Sequence, residues 1–209
     1  MFYRYFYYAI CLLLLTSCKH DIEEVPVLPR AAEPVGFSKK LADAALERLT
    51  HKVRYDAAYL KIPYPGGDVP DNMGVCTDEV IRSYRKLGID LQKDVHKEMI
   101  AHFDAFPTRQ RWGLQSADTN IDHRRVPNLQ VLFSRKGLKL PITQQGKDYL
   151  PGDLVTWRVE GRPHIGIVVN RKRRGESRYM IVHNIGRGPV LEDMLFKYPI
   201  TGHYRYYGV

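Results

Sequence analysis

Between Cys76 and Leu87 the apolar residues recur with a helical period. Val80, Ile81, Tyr84 and Leu87 fall on one side, and Glu79, Arg82, Arg85 and Lys86 are expected outside that stripe. Cys76 stands four residues before Val80 and eight before Tyr84, so it shares the apolar side. "DNMG" ahead of it is turn chemistry, which places the cysteine in the first helical turn, and Gly88 is suited to end the helix. The C-terminal half changes period from about 3.6 to 2. "DLVTWRV" sends Val155, Trp157 and Val159 to one face, "HIGIVVN" follows after a turn at Gly161 to Pro163, and "RYMIVHN" follows a basic loop from Arg171 to Glu176. Helices come first and an antiparallel sheet second, which defines an α+β fold.

The hairpin predicts a juxtaposition. Pairing Asn170 with Ser177 across the basic loop sets His164 directly opposite His183. Opposed residues of an antiparallel pair share a face, with Cβ atoms about 4.5–5.5 Å apart. A slip of one residue would send one ring to the other face.

The N-terminus is of a different kind. Arg4, the apolar run "YYAICLLLL" and then "LTSC" read as an export signal too short to span a bilayer. Residues 1–17 are assigned to it, and "LTSC" resembles a bacterial lipoprotein signal with Cys18 as the lipidated residue. Residues 18–36, with Pro26, Pro29 and Pro34, read as a tether, and 37–209 as one domain. The formal charge of +9, one unit of it from Arg4, suits an anionic partner. Nucleic acid is not expected, since no motif for it accompanies the charge. A monomer is expected.

The cysteine count sharpens the chemistry. With Cys11 in the signal and Cys18 in the lipoprotein motif, Cys76 has no partner, which in an exported protein marks a thiol for attention. The free N–H groups and dipole of a helix start favour a thiolate, so a lowered pKa is expected, against the opposing charges of Asp78 and Glu79. A nucleophile needs a base and a residue to orient it. His164 and His183 fill those roles, with Asn184 competing for the second. The same set could ligate zinc, but no close-spaced ligand pair is present and neither metal nor cofactor is expected.

The order "GVCTDEVIRSYRKLGI", "PGDLVTWRVEGRPHIGIVV", "YMIVHNIG" resembles the NlpC/P60 superfamily of papain-like cysteine peptidases and amidases. More narrowly, "PYPGGDVP", "NIDHRRVPNL", "HNIGRGPVLEDMLF" and "ITGHYRY" resemble the DUF1287 family, a branch of it, over about Tyr59 to Tyr206. The resemblance implies a papain-like fold with Cys76, His164 and His183 as catalytic residues. It also puts Tyr64, twelve residues before the cysteine, near the reacting carbonyl. Val75-Cys76-Thr77-Asp78 departs from the usual Asp-Cys-Ser-Gly. Asp78, Trp157 and Asn184 are placed in the substrate site, as are Asp122, His123, Arg124 and Arg125, whose arginines could grip a carboxylate. Alternatively "DHRR" simply leads into and caps a helix near Pro127.

The implied activity is hydrolysis of an amide bond in peptidoglycan. The lactoyl-L-alanine amide is favoured slightly over the D-glutamyl bond of the stem. A non-catalytic wall-binding module or a lipid acyltransferase is the competing class. The lipoprotein signal implies a membrane-anchored protein facing the periplasm or in the outer membrane of a Gram-negative bacterium. Replacing Cys18 by Ala is expected to move the protein from the membrane fraction to a soluble exported pool, read by fractionation; continued membrane association would refute the anchor.

Overall fold

A computed structural model describes residues 36–209, so the signal, Cys18 and the tether up to residue 35 lie outside the described residues. Helix α1 spans Phe37–Glu47, and the two-residue strands β1 (Arg54–Tyr55) and β2 (Met73–Gly74) pair in parallel. Four helices follow: α2 (Cys76–Lys86), α3 (Leu91–Ala101), α4 (Thr108–Trp112) and α5 (Val126–Lys136). The rest is mainly strand: β3 (Leu138–Lys139), β4 (Leu154–Val159), β5 (Arg162–Lys172), β6 (Tyr179–Asn184), β7 (Pro189–Glu192) and β8 (Ile200–Arg205). They form an antiparallel sheet in the order β3-β8-β4-β5-β6-β7, giving the α+β arrangement expected. No helix among the described residues is long and apolar enough to cross a membrane.

Both faces of the sheet are covered. Ile165, Ile167, Val169 and Val182 pack with Leu41, Ala42 and Ala45 of α1 and with Cys76, Val80, Ile81 and Tyr84 of α2. The alternate residues Val155, Trp157, Val168 and Ile181 pack on the other face with Tyr149, Met194 and Leu195. This explains why "HIGIVV" carries a nearly unbroken apolar run: a strand buried on both sides has no polar face to show. Burial of each such aliphatic side chain is worth about 1.5–3 kcal/mol.

Helix α2 lies at the centre of the fold, and its expected polar side is not all solvent-facing. Glu79 and Arg82 are buried, Glu79 against Arg48 and Arg82 against Asp68 and the carbonyls of Val69, Pro70 and Met73. The period identified the apolar stripe correctly, but the remaining face is covered by Arg48 and by the chain leading into the helix, with ion pairs to Arg48 and Asp68 offsetting its charges. Gly88 ends the helix region with φ of 80°, as expected.

The hairpin register differs from the expected one. Ile167 pairs with Val182 and Val168 with Ile181; after an irregularity, Lys172 pairs with Tyr179. Strand β5 runs two residues further than the basic composition of Arg171 and Lys172 suggested, so Gly166, and not His164, comes opposite His183. A displacement of two residues preserves the face, whereas one would reverse it. His164 and His183 are therefore diagonal neighbours, a spacing long side chains can bridge. Gly166 makes that diagonal open: a Cβ there would lie 2.6 Å from Ile181 Cγ2, 2.9 Å from Val182 O and 3.1 Å from His183 Cβ. Gly166→Ala is expected to destabilise the protein by about 1–3 kcal/mol through overpacking, read as a lowered denaturation midpoint; an unchanged midpoint would contradict the crowding.

Candidate active site

The thiol is fixed by the start of α2. Val75 is the last extended residue, and its N–H donates to Asp78 Oδ2 at 2.6 Å, so a third-position carboxylate closes the first turn. Gly74 leaves room for this, since a Cβ there would approach the Asp78 and Arg82 side chains to 3.0–3.3 Å. Asp78 is in turn gripped by Arg124, Nε to Oδ1 at 2.8 Å and Nη2 to Oδ2 at 2.9 Å, with both side chains buried. Arg124 also donates to the carbonyls of Ala58 and Asp56, and its own carbonyl accepts the Thr77 hydroxyl. Asp78 and Arg124 are thus spent on each other and on the backbone. They hold the site and are not free to hold a substrate.

Cys76 is buried and has no disulfide. The backbone amides of Ile165, the residue after His164, of Thr77 and of Cys76 itself favour the thiolate. The β5–β6 ladder begins only at Ile167, so the stretch of β5 carrying His164 and Ile165 is not paired to β6 there. No hydrogen bond joins the thiol to a histidine. Burial, followed at a distance by the Asp78 carboxylate, pushes the thiol up to about 12 despite the amides. The expected lowered value is therefore overturned: desolvation outweighs the helix-start dipole.

A recess of about 310 Å³ opens over Cys76, walled by Tyr55, Arg111, Trp112, Arg125 and, one residue before His164, Pro163. Tyr64 is absent from it; it lies exposed, edge-on to His96 with ring centroids 4.8 Å apart. The tyrosine near the thiol is Tyr55, whose hydroxyl is raised first by burial and then by Cys76. Sequence spacing missed it because β1 reaches the site by pairing with β2, the strand just before the cysteine. The only signal was the apolar–polar alternation of Val53, Arg54 and Tyr55 in "VRYD", well upstream.

The insertion behaves as both expectations allowed. Asp122 and His123 are buried, Asp122 accepting from Asp118 N–H, Arg125 and Asn128, and the 3₁₀ turn they form leads into α5, which has Pro127 in its first turn. Burial pushes His123 down to about 4, and its Nδ1 has no partner. Neither residue is placed to touch a substrate. Arg125 does reach the recess, stacked over Trp112 at 4.0 Å, and Arg111 beside it has no acidic partner among the described residues.

His164 and His183 meet. His164 Nε2 lies 3.1 Å from His183 Nδ1 with the rings at 89°, both buried. Burial, then the neighbouring His183, pushes His164 down to about 3; burial, then Lys197, pushes His183 down to about 4. Asn184 leaves β6 on the opposite face, and its Oδ1 accepts the Gly186 N–H, so it does not orient His164. Trp157, directly across from His164, is fully buried with its indole N–H donated to Leu195 O at 2.9 Å. It backs the histidine pair and does not face the recess. Among the described residues no three His, Cys, Asp or Glu side chains are gathered as a metal site requires.

The arrangement is that of an α+β protein with a buried thiol at the start of α2 and a histidine pair formed between β5 and β6. The chain matches DUF1287, described as a domain of unknown function, over residues 42–206, and it belongs to that family. It is 41% identical over 201 residues to the uncharacterized protein YijF of Escherichia coli (strain K12), covering 95% of this chain and 97% of that one. Among solved structures it is similar to NlpC1 from Trichomonas vaginalis, with 16% identity, a TM-score of 0.44, and 85% of this chain against 46% of that one. NlpC2 from the same organism gives 15% identity, a TM-score of 0.43, and 85% against 50%. The chain spans about half the length of those two structures.

The raised thiol has a measurable consequence. The thiolate fraction of an ordinary cysteine levels off above about pH 8.5, whereas that of Cys76 should keep rising with pH toward about 12. Alkylation by iodoacetamide should therefore be slow at pH 7 and still climb about tenfold per unit between pH 8 and 10, read by mass spectrometry on the folded domain. A plateau near pH 8–9 would contradict the buried neutral thiol.

Proposed function

We propose that this protein is an exported cysteine hydrolase acting as a monomer on amide bonds of bacterial peptidoglycan, anchored by a lipid on Cys18. The observations that carry this reading are the unpaired, buried Cys76 at the start of α2 and the His164–His183 pair on the strands packed against that helix. The Nε2 of His164 is bonded to His183, which leaves Nδ1 as the ring nitrogen open to a proton; its meeting the thiol, to which no hydrogen bond joins it at rest, is part of the proposal. Thiol and imidazole start neutral, so proton transfer to His164 accompanies attack on the carbonyl and no standing ion pair is required. The sulfur forms the thioester while the His164 imidazolium gives its proton to the leaving amine. Water then attacks the thioester, His164 takes the water proton, and that proton returns to the departing sulfur. The backbone N–H of Cys76 and the Tyr55 hydroxyl are suited to the developing oxyanion.

The recess bears on the bond. Arg111, without an acidic partner among the described residues, and Arg125, held flat on Trp112 with its Nη1 on Asp122, suit a substrate with a carboxylate beside the scissile amide. The D-glutamyl bond within the stem has that neighbour. This observation favours the γ-D-glutamyl-diamino acid endopeptidase over the muramoyl-L-alanine amidase that overall charge had favoured.

Digestion of peptidoglycan, with mass analysis of the products, distinguishes the two bonds. On a soluble muropeptide, Cys76→Ala and His164→Ala should each abolish product formation, while His183→Ala should leave residual turnover. The histidine double variant should be little worse than His164→Ala alone. Arg111→Ala should raise KM about tenfold, the scale of one charge-assisted hydrogen bond, with kcat little changed. Full turnover by Cys76→Ala would overturn the hydrolase reading. A folded wild type that binds peptidoglycan without cutting it would indicate a wall-binding module.

A further inference from the structure

The histidine pair leaves one atom unexplained. His183 uses Nδ1 on His164, but its Nε2 is buried without a hydrogen-bond partner. The nearest acidic group is Glu192 on β7, whose Oε2 lies 3.6 Å away. His183 pairs with Val190 in the β6–β7 ladder, so Glu192 is its diagonal neighbour on the same face, as His183 itself is to His164. Both line a cavity of about 350 Å³ on the side of the sheet away from α2, and the Glu192 side chain is 44% exposed there.

We propose that Glu192 is a positioning residue, the third member of a chain running His164, His183, Glu192, which sets the tautomer of both imidazoles. The proposal rests on the hydrolase reading for its catalytic consequence, but its structural content stands apart from it. One proton lies between His164 Nε2 and His183 Nδ1. If it belongs to His164, then His164 Nδ1 is bare and can accept the thiol proton, and His183 must carry its own proton on Nε2. If it belongs to His183, then His164 is protonated on Nδ1 and cannot act as the base. A carboxylate facing His183 Nε2 accepts from an N–H there and repels a bare lone pair, so it selects the first arrangement.

The other charged groups around His183 make that selection necessary. Lys197 and Arg187 line the same cavity, and a cation near Nε2 favours the bare nitrogen, hence the unproductive tautomer. Glu160 lines the cavity from the β4–β5 turn, and Tyr198 is the remaining titratable side chain in its wall. From β4 and β5 the neighbours are Trp157, which carries no charge, and His164. Glu192 is the carboxylate at ion-pair distance from Nε2, so it offsets the cations where the proton must sit. When His164 becomes an imidazolium, the same carboxylate, acting through His183, stabilises the added charge.

The test reads tautomers directly. Long-range ¹H–¹⁵N correlation spectra of the histidine rings at pH 7 would be recorded on the wild-type domain, on Glu192→Ala and on Glu192→Gln, each also on a Cys76→Ala background. The expected result is Nε2–H for both His164 and His183 in the wild type and a shift of His183 toward Nδ1–H in Glu192→Ala. Glu192→Gln, whose amide oxygen still accepts, should lie between them. On a muropeptide, Glu192→Ala should lower kcat about five- to tenfold, the share one hydrogen bond can hold, with KM and the melting temperature unchanged and partial recovery in Glu192→Gln. Nδ1–H on His183 in the wild type, or a tautomer unmoved by Glu192→Ala, would overturn the proposal. The Cys76→Ala spectra decide this whether or not the protein cuts peptidoglycan, so failure of the hydrolase reading and failure of the relay are separate outcomes.

Discussion

The ion pair between Asp78 and Arg124 holds the start of α2 in relation to everything around it. Its carboxylate closes the first turn of the helix through the Val75 N–H, and its guanidinium reaches the carbonyls of Asp56 and Ala58 beyond β1. One buried cation thus joins the turn carrying Cys76, the segment carrying Tyr55 and the turn that leads into α5. Withdrawing both charges from water is costly, and their attraction repays it because nearly every donor and acceptor of the pair is used. Removing one partner would strand the other in the interior, a loss of about 3–5 kcal/mol. Asp78 is where the segment around Arg124 is fastened to the start of α2.

The same burial sets the chemistry. A helix start favours an anion by about 0.3–1 kcal/mol, far less than desolvation costs a thiolate enclosed between α2 and β5. The resting thiol is therefore neutral, and so are His164 and His183, both held well below the ordinary imidazole range. A site built this way does not store a reactive ion pair. Its readiness depends on where neutral rings keep their protons, and hydrogen bonds to the second ring nitrogen govern that placement.

Strand β5 carries this arrangement because it is buried on both faces. Ile165 turns toward α2 and packs with Cys76, while His164 turns the other way, toward Trp157 and His183. Thiol and imidazole pair thus lie on either side of one strand, with Pro163 in the recess wall at its entrance. Gly166 completes the geometry by leaving empty the space across which the two rings reach each other.

Much of this was legible in the order of residues. Helical period put Cys76 on the apolar side of a first turn, and alternation put both histidines on one sheet face, because each depends on local geometry repeated every few residues. Parity survived the wrong register, since a shift of two residues in a strand changes the partner but not the face. What tertiary structure alone decided were matters of distance and dielectric. The polar residues Glu79 and Arg82 lie inside because Arg48 and the segment 68–73 fold over them, and Tyr55 replaces Tyr64 at the thiol because a parallel strand pairing brings it there. Arg124 turns inward to Asp78, leaving Arg111 and Arg125 for the recess. The pKa of Cys76 rises where its position alone predicted a fall, because position fixes the dipole a thiol feels and only packing fixes how much water it keeps.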